Sequence, residues 1–251
     1  KMGIPIYHME AGNRCYDNEV PEETNRKIID ACSLFNLPYT ENSKQNLINE
    51  GFSKNYVFKI GNPIREVLSY YMEYIDKSDI HQRLNLFTKE YVLLSFHRTE
   101  NVDTKSIAKN AIEAINEIAN NYPVVFPLHP RTKDQFLKHE LLFSDKVIIT
   151  EPLGFFDFVK LEKHASIVFT DSGTVPEETS LFHVSCIILR NTTERQELME
   201  NGSVILSGMK KEDILTAYQN IRKLDQSWKG LDDYDKENVS DTVIRFLLGQ
   251  N

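Results

Sequence analysis

The residues able to do chemistry in this sequence cluster at the ends of short apolar runs. Thr170-Asp171-Ser172-Gly173-Thr174 closes one such run and opens a helical stretch. A strand-to-helix junction of this kind presents free backbone N–H groups and a positive dipole end to an anion. Gly173 lets a ligand approach the backbone closely, and Ser172 or Thr174 adds a hydroxyl donor, so the segment reads as a diphosphate cradle. It reads equally as a helix cap, with Ser172 as the cap and Glu177 and Glu178 in the first turns. Glu178 favours the cradle, because a carboxylate directed into such a junction can accept two hydrogen bonds from ribose hydroxyls. His97 and Arg98 follow Ser95-Phe96 and should emerge on the carboxyl edge of the same sheet, the edge on which open α/β sheets bind ligands. There the histidine could bind phosphate or move a proton, and the arginine could fork onto phosphate oxygens. The plainer alternative makes His97 a cap for the next helix. His129-Pro130-Arg131 repeats the arrangement, but Pro130 favours a structural turn. Arg190 and Arg195 flank Asn191-Thr192-Thr193-Glu194, and in a chain of net negative charge at least one of them should face the ligand.

A second group of acids lies near the start. Glu10 ends the run around His8, and Pro21-Glu22-Glu23 opens a helix with Arg26 one turn on. Carboxylates in a partly enclosed site can have raised pKa values and act as acid or base, which makes Glu10 and Glu22 candidates for proton traffic at a sugar carbon. Glu23 reads as a helix-face residue pairing locally, and Glu22 could be no more than a helix-start charge. His81, His139, His164 and His183 read as surface or packing residues. Phe155, Phe156 and Phe158 read as core, with one ring stacking on a base as the alternative for Phe158.

The elements that must position these groups follow from periodicity. Apolar runs at 91–95, 124–126, 147–149, 167–170, 186–189 and 204–206 predict strands. The intervening segments 104–120, 132–138, 155–163, 175–182, 195–201 and 210–222 predict helices. Strands apolar throughout, joined by helical crossovers, imply a parallel sheet covered on both faces. The first third repeats the pattern in shorter form, with strands at 4–8, 34–37 and 57–60, helices at 22–31 and 43–50, and a helix from Pro63 to about residue 74. This is half a sheet, so an N-terminal portion is expected to precede it. The expectation is an α/β protein of two Rossmann-like, doubly wound domains. Residues 1–76 form the latter half of the first, residues 77–235 the second, and residues 236–251 a helix packing back on the first.

The 251 residues are 41% hydrophobic and 26% charged, as in an ordinary globular protein. A net charge of −8 leaves no broad basic surface, which argues against a nucleic-acid partner. Cys15, Cys32 and Cys186 lack any C-x-x-C spacing, against both a disulfide framework and a zinc site, and fit a reducing cytoplasm. No apolar run approaches the ~20 residues of a membrane span, and no signal-peptide core is visible at the start.

Taken together, the motifs resemble those of the UDP-N-acetylglucosamine 2-epimerase family. They are His8-Met9-Glu10-Ala11-Gly12, Pro21-Glu22-Glu23 with Asn25-Arg26, Gly61-Asn62-Pro63, His97-Arg98 with Glu100-Asn101, Thr170-Asp171-Ser172-Gly173 with Glu177-Glu178, and Arg190 with Thr192-Thr193-Glu194-Arg195. They run in register to about Gly208. The resemblance implies two Rossmann-like domains, as in B-type glycosyltransferases, with an active site in the cleft between them. It further implies that Ser172, Gly173 and Thr174 bind the diphosphate, Glu178 the ribose, Arg195 and His97 the phosphate and reacting region, and Phe158 the uracil side. Glu10 and Glu22 match the catalytic carboxylates, and His97 joins them in the reacting region. The implied reaction removes the proton at carbon 2, eliminates UDP to leave a glycal, and adds UDP back with carbon 2 inverted. It requires no redox cofactor and no metal. A UDP-N-acetylhexosamine is the implied substrate and a cytoplasmic homodimer the implied form. The segment His8-Met-Glu-Ala-Gly-Asn-Arg-Cys15 with Asp17 most resembles the branch forming UDP-N-acetyl-L-fucosamine, in capsule or O-antigen synthesis.

Some positions depart from the family pattern. Thr99 stands where many members carry a second arginine, Leu153 where some carry glutamine, and Thr174 where a second glycine is usual, which bears on uracil contacts and on any allosteric substrate site. A Gly-Thr-Arg-Pro-Glu-like loop and a further aspartate belong to the portion expected to precede this chain. Two rivals share the fold: a UDP-sugar-dependent glycosyltransferase, and a non-catalytic nucleotide-sugar-binding module that would have no use for Glu10 or Glu22.

Overall fold

The computed structural model describes residues 2–18 and 20–249. The chain divides into two units, the first comprising residues up to Tyr70, Thr192–Glu197 and residues from Lys229 onward, the second Tyr71–Asn191 and Leu198–Trp228. The division falls at 70/71 rather than 76/77, and it assigns the segment carrying Arg195 to the first unit.

In the first unit β1 (Tyr7–Met9) and β2 (Phe35–Leu37) pair in parallel, joined by the helix Pro21–Cys32. Pro21 supplies the first-turn position, where a missing N–H costs nothing. The helix Glu41–Asn49 starts two residues earlier than its periodicity suggests, because Thr40 caps it by accepting the Ser43 N–H. The third strand expected at 57–60 does not form. Val57 makes a single parallel bridge to Asn36, while Phe58 and Ile60 donate to the carbonyls of Asn36 and Pro38. Two aromatic rings and a helix explain the bonding that remains: Phe35 stacks on Tyr7 and meets Phe246 edge-on, and Val239, Val243 and Phe246 of the helix Val239–Leu248 close over Leu37 and Ile60.

The second unit is a six-stranded parallel sheet formed by β3 (Val92–Ser95), β4 (Val124–Pro127), β5 (Val147–Thr150), β6 (Ile167–Thr170), β7 (Ser185–Ile188) and β8 (Val204–Leu206). The strand order is β5-β4-β3-β6-β7-β8, that of a doubly wound sheet. The all-apolar strands feed two cores by alternation. Val92, Leu94, Val124, Phe126 and Phe169 face the helices Lys105–Ala119 and Lys211–Ile221, while Leu93, Val125 and Val168 face Leu161, Val175 and Val184. Each fully buried side chain of this size contributes roughly 1.5–3 kcal/mol. The expected helix at 132–138 begins instead at Pro130, which takes the first helical position with His129 as its cap. Short helices at Ile80–Arg83 and Thr99–Val102 carry too few residues to show a period.

Among the described residues no helix is long and apolar enough to cross a membrane.

Candidate functional site

In the second unit β3 and β6 are neighbours, and the winding of the sheet reverses between them. Loops leaving the carboxyl ends of two such strands diverge and open a crevice, the general ligand position of open α/β sheets. His97 and Arg98 leave β3 at this point, and Asp171-Ser172-Gly173-Thr174 leaves β6.

A single buried carboxylate ties the two loops together. Asp171 accepts the His97 N–H at 3.1 Å, the Arg98 N–H at 2.8 Å and the Asn101 side-chain amide at 3.2 Å. His97 Nδ1 lies 3.4 Å from the same carboxylate, with the imidazole side chain 54% exposed. Burial raises the Asp171 pKa, opposed by His97 and by the N–H donors. His97 is therefore not a helix cap. The following short helix starts from Arg98 without a side-chain cap, and the His97 imidazole projects toward solvent from an anchored backbone. The Arg98 guanidinium reaches Glu100 at 3.2 Å.

In the β6 turn, Ser172 Oγ accepts the Thr174 N–H at 3.3 Å and approaches Thr174 Oγ1 at 3.3 Å. Ser172 thus closes a local turn instead of capping the helix Val175–Leu181, whose cap residue is Thr174. Glu178, one turn into that helix, is 7% exposed, and burial raises its pKa.

A cavity of about 350 Å³ opens on the same edge, lined by His97, His129, Arg131, Leu153 and Phe158 among others. Of the expected binding residues it includes His97 and Phe158 and leaves out Arg98, Ser172, Gly173, Thr174 and Glu178. His129 accepts the Arg131 N–H as a helix cap, its structural role, while its position and that of Arg131 add basic groups to the cavity wall. Phe155 and Phe156 are exposed rather than core, because they lie on the outer face of their helix against Tyr71 and Tyr74.

The first unit builds a different constellation. Glu10 follows β1 with φ of 65°, a left-handed conformation that costs a non-glycine residue roughly 1–2 kcal/mol and persists only where its surroundings impose it. Gly12, at φ 80°, passes so close to the helix Glu41–Asn49 that a Cβ there would lie 2.1 Å from the Ser43 carbonyl oxygen. Beneath the turn, Arg14 forks onto Glu50 at 2.7 and 2.6 Å and meets Asp30 at 2.7 Å, while Asp30 also holds His8 at 2.7 Å and the Gly12 N–H at 3.3 Å. Burial opposes the Arg14 charge, yet Glu50 and Asp30 outweigh it and hold the guanidinium well above its ordinary pKa.

This frame aims the Glu10 carboxylate. Its Oε1 accepts from Asn13 at 2.9 Å and from Arg195 at 2.6 Å, and Asn13 is itself fixed by the Ser43 hydroxyl at 2.7 Å. The Glu10 side chain remains 44% exposed. Glu10 and Arg195, chosen separately as proton-handling and phosphate-binding residues, are thus direct partners. Glu22 stands exposed in the first turn of its helix. Its neighbour Glu23 is the buried one, accepting the Cys15 N–H at 3.0 Å with Lys27 at 3.3 Å. Burial pushes the Glu23 carboxyl up, and the Cys15 donors and Lys27 outweigh it to bring the pKa down.

Asp171, Asn13, Asp30 and Glu162 are the residues that sequence reasoning missed. Asp171 stood inside the motif with nothing to show its targets, which are backbone N–H groups more than seventy positions earlier.

The family described as UDP-N-acetylglucosamine 2-epimerase matches residues 1–248. The UDP-N-acetylglucosamine 2-epimerase of Methanocaldococcus jannaschii is 36% identical, with 98% of this chain and 69% of that protein aligned. A crystal structure of the M. jannaschii enzyme in complex with UDP-GlcNAc and UDP superimposes with a TM-score of 0.91 at 35% identity, covering 98% of this chain and 69% of that one. The UDP-2,3-diacetamido-2,3-dideoxy-D-glucuronate 2-epimerase of Pseudomonas aeruginosa is 32% identical, covering 86% of this chain and 60% of that protein.

Proposed function

The chain belongs to the UDP-N-acetylglucosamine 2-epimerase family, and from that premise we propose that it inverts carbon 2 of a UDP-N-acetylhexosamine by eliminating and re-adding UDP. The observation that carries the reading is Glu10, a carboxylate held in a strained backbone conformation and charge-paired with Arg195. Strain maintained by a dedicated network marks a functional position.

The nucleotide is assigned to the second unit. Ser172, Gly173 and Thr174 take the diphosphate, Glu178 the ribose, Phe158 the uracil side, and His97 and Arg98 the phosphate nearest the reacting carbon. Proton chemistry is assigned to Glu10 and Glu22 of the first unit. One carboxylate removes the carbon 2 proton as the bond from carbon 1 to the UDP oxygen breaks, which leaves a 2-acetamidoglycal and UDP. Protonation at carbon 2 from the opposite face, with re-formation of the bond at carbon 1, completes the inversion. No electrons are gained or lost overall. Positive charge from Arg98 and Arg195, with a hydrogen bond from the His97 imidazole, stabilises the departing diphosphate. The same reading makes the protein a cytoplasmic homodimer, with a substrate of the UDP-N-acetyl-L-fucosamine branch used in surface polysaccharide synthesis.

Incubation with a panel of UDP-N-acetylhexosamines in deuterium oxide tests the reading, with carbon 2 followed by NMR. Deuterium should enter carbon 2 without any acceptor. Glu10→Gln should slow the exchange about 10²–10⁴-fold, the usual contribution of a general acid or base, while UDP binding persists. A protein that binds UDP and exchanges nothing until an acceptor is supplied would be a glycosyltransferase. Unchanged exchange in Glu10→Gln would remove Glu10 from the chemistry.

A further inference from the structure

The two oxygens of the Glu10 carboxylate have different surroundings. Oε1 accepts from Arg195 at 2.6 Å and from the Asn13 amide at 2.9 Å. Among the described residues Oε2 receives no hydrogen bond, and the side chain stays 44% exposed. Behind Asn13 runs a row of hydroxyls. Ser43 donates to Asn13 Oδ1 at 2.7 Å, and Thr40 donates to Ser43 Oγ at 3.0 Å. Asn13, Ser43 and Thr40 are all buried. Thr40 Oγ1 also accepts the Ser43 N–H as the cap of the helix Glu41–Asn49, so the end of that helix anchors the row.

The direction of the row is forced. An amide has one donor end and one acceptor end. Thr40 donates into the Ser43 oxygen, which leaves the Ser43 hydrogen for Asn13 Oδ1 and the Asn13 N–H groups for Glu10. With the amide turned over, Oδ1 would face a carboxylate oxygen, acceptor against acceptor. Every donor in the row therefore points toward Glu10, and bonds aligned in one sense polarise one another. Neither a guanidinium nor an amide N–H can accept a hydrogen bond. A proton on Oε1 would compete with both donors for the same oxygen, whereas a proton on Oε2 displaces neither.

We propose that Asn13 is a positioning residue for proton transfer: held by Ser43 and Thr40, it occupies Oε1 of Glu10 together with Arg195 and so makes Oε2 the atom that exchanges a proton with carbon 2. The inference rests on the assignment of that proton to Glu10. In one direction the bond from carbon 2 to hydrogen breaks as an O–H bond forms at Oε2. The freed electron pair becomes the double bond between carbons 1 and 2, and the UDP oxygen leaves with the pair of its bond to carbon 1. The negative charge passes from Glu10 to UDP, and Glu10 is left a neutral acid with Oε1 still held. In the other direction the Oε2–H returns the proton. Asn13 touches no substrate in this scheme and acts through Glu10.

The test follows deuterium uptake at carbon 2 by NMR for the UDP-N-acetylhexosamine of the panel that wild type turns over, giving kcat and KM, with UDP affinity from calorimetry. Asn13→Leu keeps the volume and removes the donor. It should lower kcat about tenfold, the scale of a lost hydrogen bond to a charged group, and leave KM and UDP affinity unchanged. Ser43→Ala should lower kcat about threefold, the scale of a neutral hydrogen bond, and should have no further effect beside Asn13→Leu. Glu10→Gln is the control: if it exchanges like wild type, or if wild type exchanges nothing, the assignment of Glu10 falls and the proposal with it. With Glu10→Gln slow, a wild-type kcat in Asn13→Leu overturns the proposal alone, and so does a loss confined to KM or UDP affinity. A Ser43→Ala effect of equal size in both backgrounds overturns it as well. Should Asn13→Leu not fold, Ser43→Ala decides, and an unchanged kcat in that variant overturns the proposal.

Discussion

Around Glu10 the backbone is held by side-chain charges, with the buried pair Arg14 and Asp30, joined by Glu50 at the surface, beneath a strained turn. Around His97 and Ser172 the backbone is held by the ends of a regular sheet, and one carboxylate, Asp171, gathers the loose N–H groups. A turn built on ionic contacts fails when either partner is lost, because the survivor remains buried and uncompensated. A turn built on strand ends keeps most of its geometry when one contact is removed. The two units should therefore respond differently to single substitutions.

Arg14→Met gives the largest expected effect. It leaves the fully buried Asp30 without its guanidinium partner, with only His8 and the Gly12 N–H still on it, and removal of one partner from a buried pair costs about 3–5 kcal/mol. Denaturant unfolding checks the magnitude, and Arg14→Lys should recover part of it, since a lysine restores the charge but not the fork onto Glu50. A loss below about 1 kcal/mol, the scale of a surface pair, would mean that the network is not what holds the Glu10 turn.

Asp171→Ala should cost less, about 1–3 kcal/mol for buried donors left without an acceptor, and the damage should stay local. Hydrogen exchange ought to show lost protection at the Arg98 amide with no change at Gly12, which draws on Asp30 instead. UDP should bind more weakly to this variant. Protection lost equally in both units would erase the distinction between them.

The regular parts of the fold were legible because their cause is local. Fully apolar runs at the spacing of a doubly wound sheet identify β3 to β8, and Thr170 to Thr174 announces a strand end by composition alone. The strand expected at 57–60 failed because its bonding is decided elsewhere, by the reach of Asn36 and by the ring of Phe246 over Phe58. The site was legible in the same measure. Glu10 and Arg195 could be chosen by type, but their pairing across 185 positions could not. Nor could the targets of Asp171, since a buried polar contact between distant segments leaves no period in the chain.

Two fully buried acids make the contrast between the units sharpest. Asp30 is neutralised by the Arg14 guanidinium at 2.7 Å. Glu162 is buried with no hydrogen-bond partner for either oxygen among the described residues, and burial raises its pKa so that it holds a proton, a difference that stability should report through its dependence on pH. Both Glu162 and Glu178 have carboxyl pKa values raised in the folded protein. The folded state therefore holds protons that the unfolded chain releases above about 4.3. Their stabilising contribution is complete below that pH and is lost as pH climbs through the raised values. Glu162→Gln removes one titrating group and the repulsion that follows its ionisation, so the variant should show a shallower decline. Denaturation midpoints from pH 5 to 9 should diverge in favour of Glu162→Gln as pH rises. Curves that stay parallel over that range would mean that the pair holds no proton for high pH to remove.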